Sequence, residues 1–190
     1  PTVRNDLLDY YAAVRNFDRE ASVILAQLEK EGELENTLVV MSGDNGMPFP
    51  RAKATLYDTG TRVPLVMRWG KQVKAGRSVS DFVSLCDLAP TFLEAAGIPS
   101  PKAMTGRSLF PQLKSKRSGQ IDTDRDHVLT GMSRHCFPYP RQALRTDRYL
   151  YVRNKNPEKW MTGRRQGPPQ IFDFSKRHWP EGAEAFCFNI

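Results

Sequence analysis

The chain has 190 residues, 39% of them hydrophobic and 26% charged, an ordinary globular composition that suits one domain, or one plus a small appendage. The net charge of +7 is uneven, with 11 basic and 13 acidic side chains in residues 1–100 against 17 and 8 in residues 101–190; this suits an anionic partner, yet no aromatic-basic signature marks a nucleic-acid module. Cys86, Cys136 and Cys187 are odd in number and lack C-x-x-C spacing, which argues against a disulfide framework or a zinc site, and no apolar run nears the ~20 residues of a membrane span.

The chain opens on Pro1 followed by a polar stretch, read here as a cut or processed end with no signal or transit peptide in view. From Leu7 the apolar residues Tyr10, Tyr11, Val14, Phe17, Ala21, Ile24, Leu25 and Leu28 recur every three to four positions, which predicts a long amphipathic helix. Asn5 is its expected N-cap and Gly32 its stop. Thr37 to Met41 predicts a buried strand, and Val63 to Trp69 a second one. The polar loop between them, from Ser42 to about Arg62, lies where a parallel α/β sheet would gather a ligand.

Downstream, Asp87-Leu88-Ala89-Pro90 predicts an N-capped helix with proline in its first turn and Gly97 at its end. Residues 111–126 are polar and are expected to be a linker. Short strands are expected at His127–Thr130, Gln142–Arg145 and Tyr149–Arg153, with Thr146-Asp147 turning the last pair, and at Ile171–Phe174. Arg141, Arg145, Arg148 and Arg153 are expected on alternating faces of a hairpin, one of which could attract a polyanion.

Asp44 and Asn45 offer two oxygen donors at a strand end, with Gly46 allowing a sharp turn, and such donors suit a hard cation, calcium or magnesium. An Asx turn closed by glycine explains the same tripeptide without any metal. Lys53, nine positions after Asp44, could return a positive charge to the loop mouth and bind an anionic group there, or stand solvated.

The whole segment, Asp44-Asn45-Gly46 followed by Lys53-Ala54-Thr55-Leu56-Tyr57-Asp58-Thr59-Gly60-Thr61-Arg62-Val63-Pro64, resembles the sulfatase family. Tyr10 to Val14 with Phe17-Asp18, Ser84 to Thr91, and Gly106-Arg107-Ser108-Leu109 are similar to flanking segments of that family. Pro48-Phe49-Pro50 and Tyr139-Pro140-Arg141 are similar to its heparan N-sulfatase (sulfamidase) branch. The resemblance implies an α/β fold, a partial alkaline-phosphatase-like sandwich over residues 1–120 with a small antiparallel C-terminal subdomain over 121–190. It also implies that Asp44 and Asn45 ligate Ca2+, or Mg2+ in its place, and that Lys53 contacts the sulfate of a sulfated carbohydrate. A periplasmic, secreted or lysosomal location is expected on the same ground.

Enzymes of this family attack sulfur with a formylglycine made from a Cys/Ser-x-Pro-x-Arg motif. Cys136-Phe137-Pro138-Tyr139-Pro140-Arg141 places its arginine one position too late, so Cys136 is rejected as the nucleophile. The formylglycine is expected in a missing N-terminal part, and the chain alone is expected to be inactive. Arg134 and His135 fall where similar sulfamidase-like sequences place substrate-pocket residues, and a solvated surface pair explains them equally well. Two rival readings are a two-metal phosphatase or phosphodiesterase of the same superfamily, disfavoured because no histidine stands near Asp44, and a non-catalytic polyanion-binding module.

Overall fold

The computed structural model describes residues 2–133 and 140–155. Helix α1 spans Thr2–Lys30, a stretch without glycine or proline. Asn5 lies inside it rather than capping it, because nothing in Thr2–Arg4 breaks the helix before that point. The C-terminal end is as expected: Gly32 adopts φ +74° and donates to Glu29 O at 3.0 Å, while Glu33 donates to Leu28 O at 2.9 Å, the paired bonds of a Schellman motif. Among the described residues the apolar stripe of α1 is covered towards its ends. Leu7, Tyr10, Leu25 and Leu28 are half-buried, whereas Tyr11, Val14, Phe17 and Ile24 are exposed.

Strand β1 (Val39–Ser42) pairs with β2 (Leu65–Arg68) in antiparallel register, Val39 opposite Arg68 and Ser42 opposite Leu65. The loop between them is therefore not at the strand end of a parallel unit. The connection contains just the one-turn helix α2 (Asp58–Thr61), far too short for the crossover that parallel strands require. The loop accordingly closes one end of the pair, holding the C-terminal end of β1 beside the start of β2. No residue of β1 is buried, since a two-stranded ribbon has two faces to cover. Beyond β2, Trp69 is buried edge-on against Phe110, with ring centroids 5.7 Å apart, and Lys114 Nζ lies 5.1 Å over its ring.

Helix α3 (Leu88–Ala95) follows a single 3-10 turn, Leu85–Asp87. The cap of this unit is Ser84, not Asp87: Ser84 Oγ accepts from Cys86 N at 3.3 Å, and Asp87 reaches back to Ser84 N at 3.1 Å. Asp87 is a hub. Its Oδ1 accepts from Arg107 N at 2.8 Å and its Oδ2 from Arg125 Nη1 at 2.7 Å, and Arg125 Nη2 goes on to the carbonyls of Arg107 and Ser108. Thr91, fully buried, accepts from Leu109 N at 2.8 Å while donating to Asp87 O at 2.6 Å. The Ser84–Thr91 and Gly106–Leu109 segments are thus two halves of one clasp. Gly106 sits so close that a Cβ there would lie 2.1 Å from Cys86 O.

Residues 111–126 are not a linker. Helix α4 (Phe110–Lys114) buries Gln112 and Leu113, and Arg125 is 2% exposed. Buried Asp81 gathers the stretch, accepting from Gln112 Nε2 at 2.7 Å, Ile121 N at 2.6 Å and Asp122 N at 3.0 Å. Polar side chains here pair with one another over long sequence separations, which composition alone does not reveal. Strands β3 (His127–Met132), β4 (Arg141–Thr146) and β5 (Leu150–Asn154) form an antiparallel sheet in the order β3-β4-β5. The expected strand at Ile171–Phe174 lies outside the described residues.

Candidate functional site

The loop after β1 is held by its glycines. Gly46 N donates to Gly60 O at 2.9 Å, and a Cβ on Gly46 would fall 2.0 Å from Thr59 O. Gly60 meets the same constraint from the other side, its Cβ position lying 2.4 Å from Ala52 O and 2.5 Å from Thr55 O. The Asp44-Asn45-Gly46 turn and the Thr59-Gly60 step are therefore pressed together, backbone on backbone. Lys53 N donates to Met47 O at 3.0 Å, which returns the Lys53 main chain to the turn that carries Asp44. Thr55, buried, donates to Ala52 O at 2.8 Å, and Thr59 Oγ1 donates to Arg51 O. Tyr10 of α1 rests against Phe49 at the loop's outer edge, with centroids 5.6 Å apart.

At this mouth Asp44 is exposed and Asn45 half-buried. Asn45 Nδ2 donates to Gly46 O at 2.9 Å, so its amide oxygen is the group with which it could ligate a cation. A carboxylate and an amide oxygen on adjacent residues fit a hard cation as two of the six to eight oxygen ligands calcium takes. Among the described residues no group of three or more His, Cys, Asp or Glu could hold a metal by itself. Lys53 is half-buried and engaged in contacts of its own. Arg134, His135 and Cys136 lie outside the described residues.

The sequence reading missed the part that β4 plays. Arg141 and Arg145 do not alternate across the sheet; four positions apart, they share one face with Ala143, which is 2% exposed. Arg145 forks onto Asp58, Nε to Oδ1 at 2.9 Å and Nη2 to Oδ2 at 3.1 Å, and Arg141 Nη2 donates to Ala54 O at 3.4 Å. The Arg145 hydrogen bond holds the Asp58 carboxyl below its ordinary value, and the same bond raises Arg145. The signal was available as parity, since residues 141, 143 and 145 must face together in a strand.

Comparison with known proteins agrees with this anatomy. The family description "Sulfatase" matches residues 2–98, and "N-sulphoglucosamine sulphohydrolase, C-terminal" matches residues 51–171. N-sulphoglucosamine sulphohydrolase of Homo sapiens is 33% identical over 167 residues, covering 82% of this chain and 32% of its own length. An ulvan-active sulfatase of Formosa agariphila is 33% identical over 159 residues, covering 83% of this chain and 25% of its own length. A solved structure of BT4656 in complex with its substrate D-glucosamine-2-N,6-O-disulfate aligns with TM-score 0.65 and 29% identity over 73% of this chain and 29% of that one. The chain spans a quarter to a third of the length of these relatives. The fold is α/β of the alkaline-phosphatase-like class, with small antiparallel sheets.

Proposed function

Because this chain belongs to the sulfatase family and resembles its heparan N-sulfatase branch, we propose that the loop from Asp44 to Lys53 is its share of a site that removes sulfate from sulfated sugars. The observation that supports the proposal is the closure of this loop: Gly46 N on Gly60 O and Lys53 N on Met47 O return the main chain of Lys53 to the turn that carries Asp44 and Asn45. In the proposed arrangement Asp44 and Asn45 hold Ca2+, with Mg2+ as the alternative, and the bound ion would neutralise charge on the sulfate oxygens. Lys53 adds a point charge to the same oxygens, which stabilises the sulfate most when its charge is greatest, in the transition state. Substrate contacts from Arg134 and His135 belong to the same proposal.

The family's formylglycine has no Cys/Ser-x-Pro-x-Arg source in this sequence. Arg141, which follows Cys136 too late for that motif, is occupied in β4 with Ala54 O. The chain by itself is therefore proposed to be inactive, and a secreted, periplasmic or lysosomal setting is proposed for the whole enzyme. The test is turnover of sulfate esters and N-sulfated glucosamine by the full-length protein. Lys53→Ala should lower kcat/KM by about 100-fold. An unchanged kcat/KM removes Lys53 from the site.

A further inference from the structure

Lys53 stands between two residues in an unusual backbone state. Arg51 has φ 61° and Ala54 φ 63°, both left-handed and neither glycine. Such a conformation is strained for a residue with a Cβ and persists where its surroundings enforce it. Arg51 is held from within the loop, its carbonyl accepting from Thr59 Oγ1, whereas Ala54 has no side chain with which to hold itself. The hold comes from a strand nearly ninety residues away (a separation of 87 for both contacts): Arg141 Nη2 takes Ala54 O, and Arg145 grips Asp58 with two parallel hydrogen bonds. Residues 54 and 58 bracket buried Thr55 and Leu56, and the small Ala143 between the two arginines lets the sheet approach closely.

Among the described residues Arg141 Nε and Arg145 Nη1 are buried without a partner. Burial lowers Arg141 as an acid-base group, partly countered by Tyr57.

We propose that Arg145, aided by Arg141, is a positioning residue for Lys53: by fixing Asp58 and Ala54 it sets where the lysine ammonium meets a sulfate group. The proposal rests on the reading of Lys53 as a sulfate contact. It assigns to β4 a part in recognition that does not require either arginine to touch the ligand. A forked pair is suited to this, since it fixes orientation as well as distance.

Binding of inorganic sulfate to the full-length protein, followed by titration calorimetry, tests it in wild type, Arg145→Gln, Arg145→Lys, Lys53→Ala and the Lys53→Ala/Arg145→Gln double variant. Arg145→Gln should weaken sulfate by about tenfold, and in the Lys53→Ala background it should have no further effect. Arg145→Lys, which keeps the charge and loses the fork, should fall between wild type and Arg145→Gln. The positioning role is overturned if Lys53→Ala weakens sulfate while Arg145→Gln leaves it unchanged, or if the two losses add. Sulfate binding indifferent to Lys53→Ala overturns the site reading itself, and the positioning role with it. Should Arg145→Gln fail to fold, Asp58→Asn breaks the same fork from the other side and is held to the same outcomes.

Discussion

Arg125 Nη1 meets Asp87 Oδ2 at 2.7 Å across 38 residues of sequence, and both side chains are withdrawn from water. Removing Arg125 takes from Asp87 its one ion-pair partner among the described residues, and removing Asp87 leaves buried Arg125 with just the longer contact of its Nε to Asp122, at 3.5 Å. Asp87→Ala and Arg125→Ala should each destabilise the protein by about 3–5 kcal/mol, measured by urea unfolding, and the double variant should cost less than their sum. A single-variant loss below ~1 kcal/mol would show that the clasp is not held by this pair.

The meeting of Gly46 with the Thr59 carbonyl makes a second forecast. Gly46→Ala places a methyl group where an oxygen stands 2.0 Å away, so the turn must open. The expected cost is about 3 kcal/mol, with a matching loss of sulfate binding, because Asp44 and Lys53 no longer share one mouth. Gly76→Ala is the contrast: nothing lies within 4 Å of its Cβ position, and its φ of +69° alone opposes the change, so stability falls by ~1 kcal/mol with sulfate binding intact.

Asp81 should make the fold acid-sensitive. Burial pushes its carboxyl up, but the hydrogen bonds from Gln112, Ile121 N and Asp122 N, with the charge of Arg125, outweigh this and hold it below its ordinary value of 3.8. The folded state therefore binds the proton less readily than the unfolded chain. The stability it contributes is complete above that ordinary value and is lost as pH falls from there through the lowered folded value. Asp81→Asn should cost ~2 kcal/mol near neutral pH and flatten the acid limb of a stability-against-pH curve. An unchanged acid limb would acquit Asp81.

Metal removal gives a fourth measurement. If Asp44 and Asn45 hold calcium in the full-length protein, adding Ca2+ to the EGTA-treated protein should raise its Tm, by ~2.7 kcal/mol of binding free energy at a hundredfold excess over Kd. Asp44→Ala should abolish that rise while leaving the metal-free Tm near wild type. A rise that survives Asp44→Ala would place the ion elsewhere.

Periodicity and punctuation made much of the fold legible. The spacing from Leu7 to Leu28, Gly32, the β-branched run ending at Met41, Gly97 and the three short strands each correspond to an observed feature, since every one is a local signal. What sequence hid was pairing at a distance. Residues 111–126 looked like solvated chain because Gln112 and Arg125 are polar, and their partners Asp81 and Asp87 lie 31 and 38 residues away. The antiparallel pairing of β1 and β2 could not be read from the strands themselves, which carry no direction. In the loop the spacing of Asp44, Asn45 and Lys53 was legible, as was the resemblance that names their roles. The fork from Arg145 to Asp58 was not, although strand parity already grouped Arg145 with Arg141.

The loop's internal bonds also set an order of assembly. Asp44 and Lys53 are nine residues apart, and the bonds Lys53 N to Met47 O and Gly46 N to Gly60 O span six and fourteen residues. Loops of about ten residues close in roughly 10–100 ns, whereas contacts across most of a chain wait on slower rearrangement. The turn that carries the two oxygen donors is thus a low-contact-order structure, able to sample its shape early and repeatedly. The strand that fixes it arrives from 87 residues downstream. Folding of this region ends, on this account, with β4 locking a conformation that the loop has already visited.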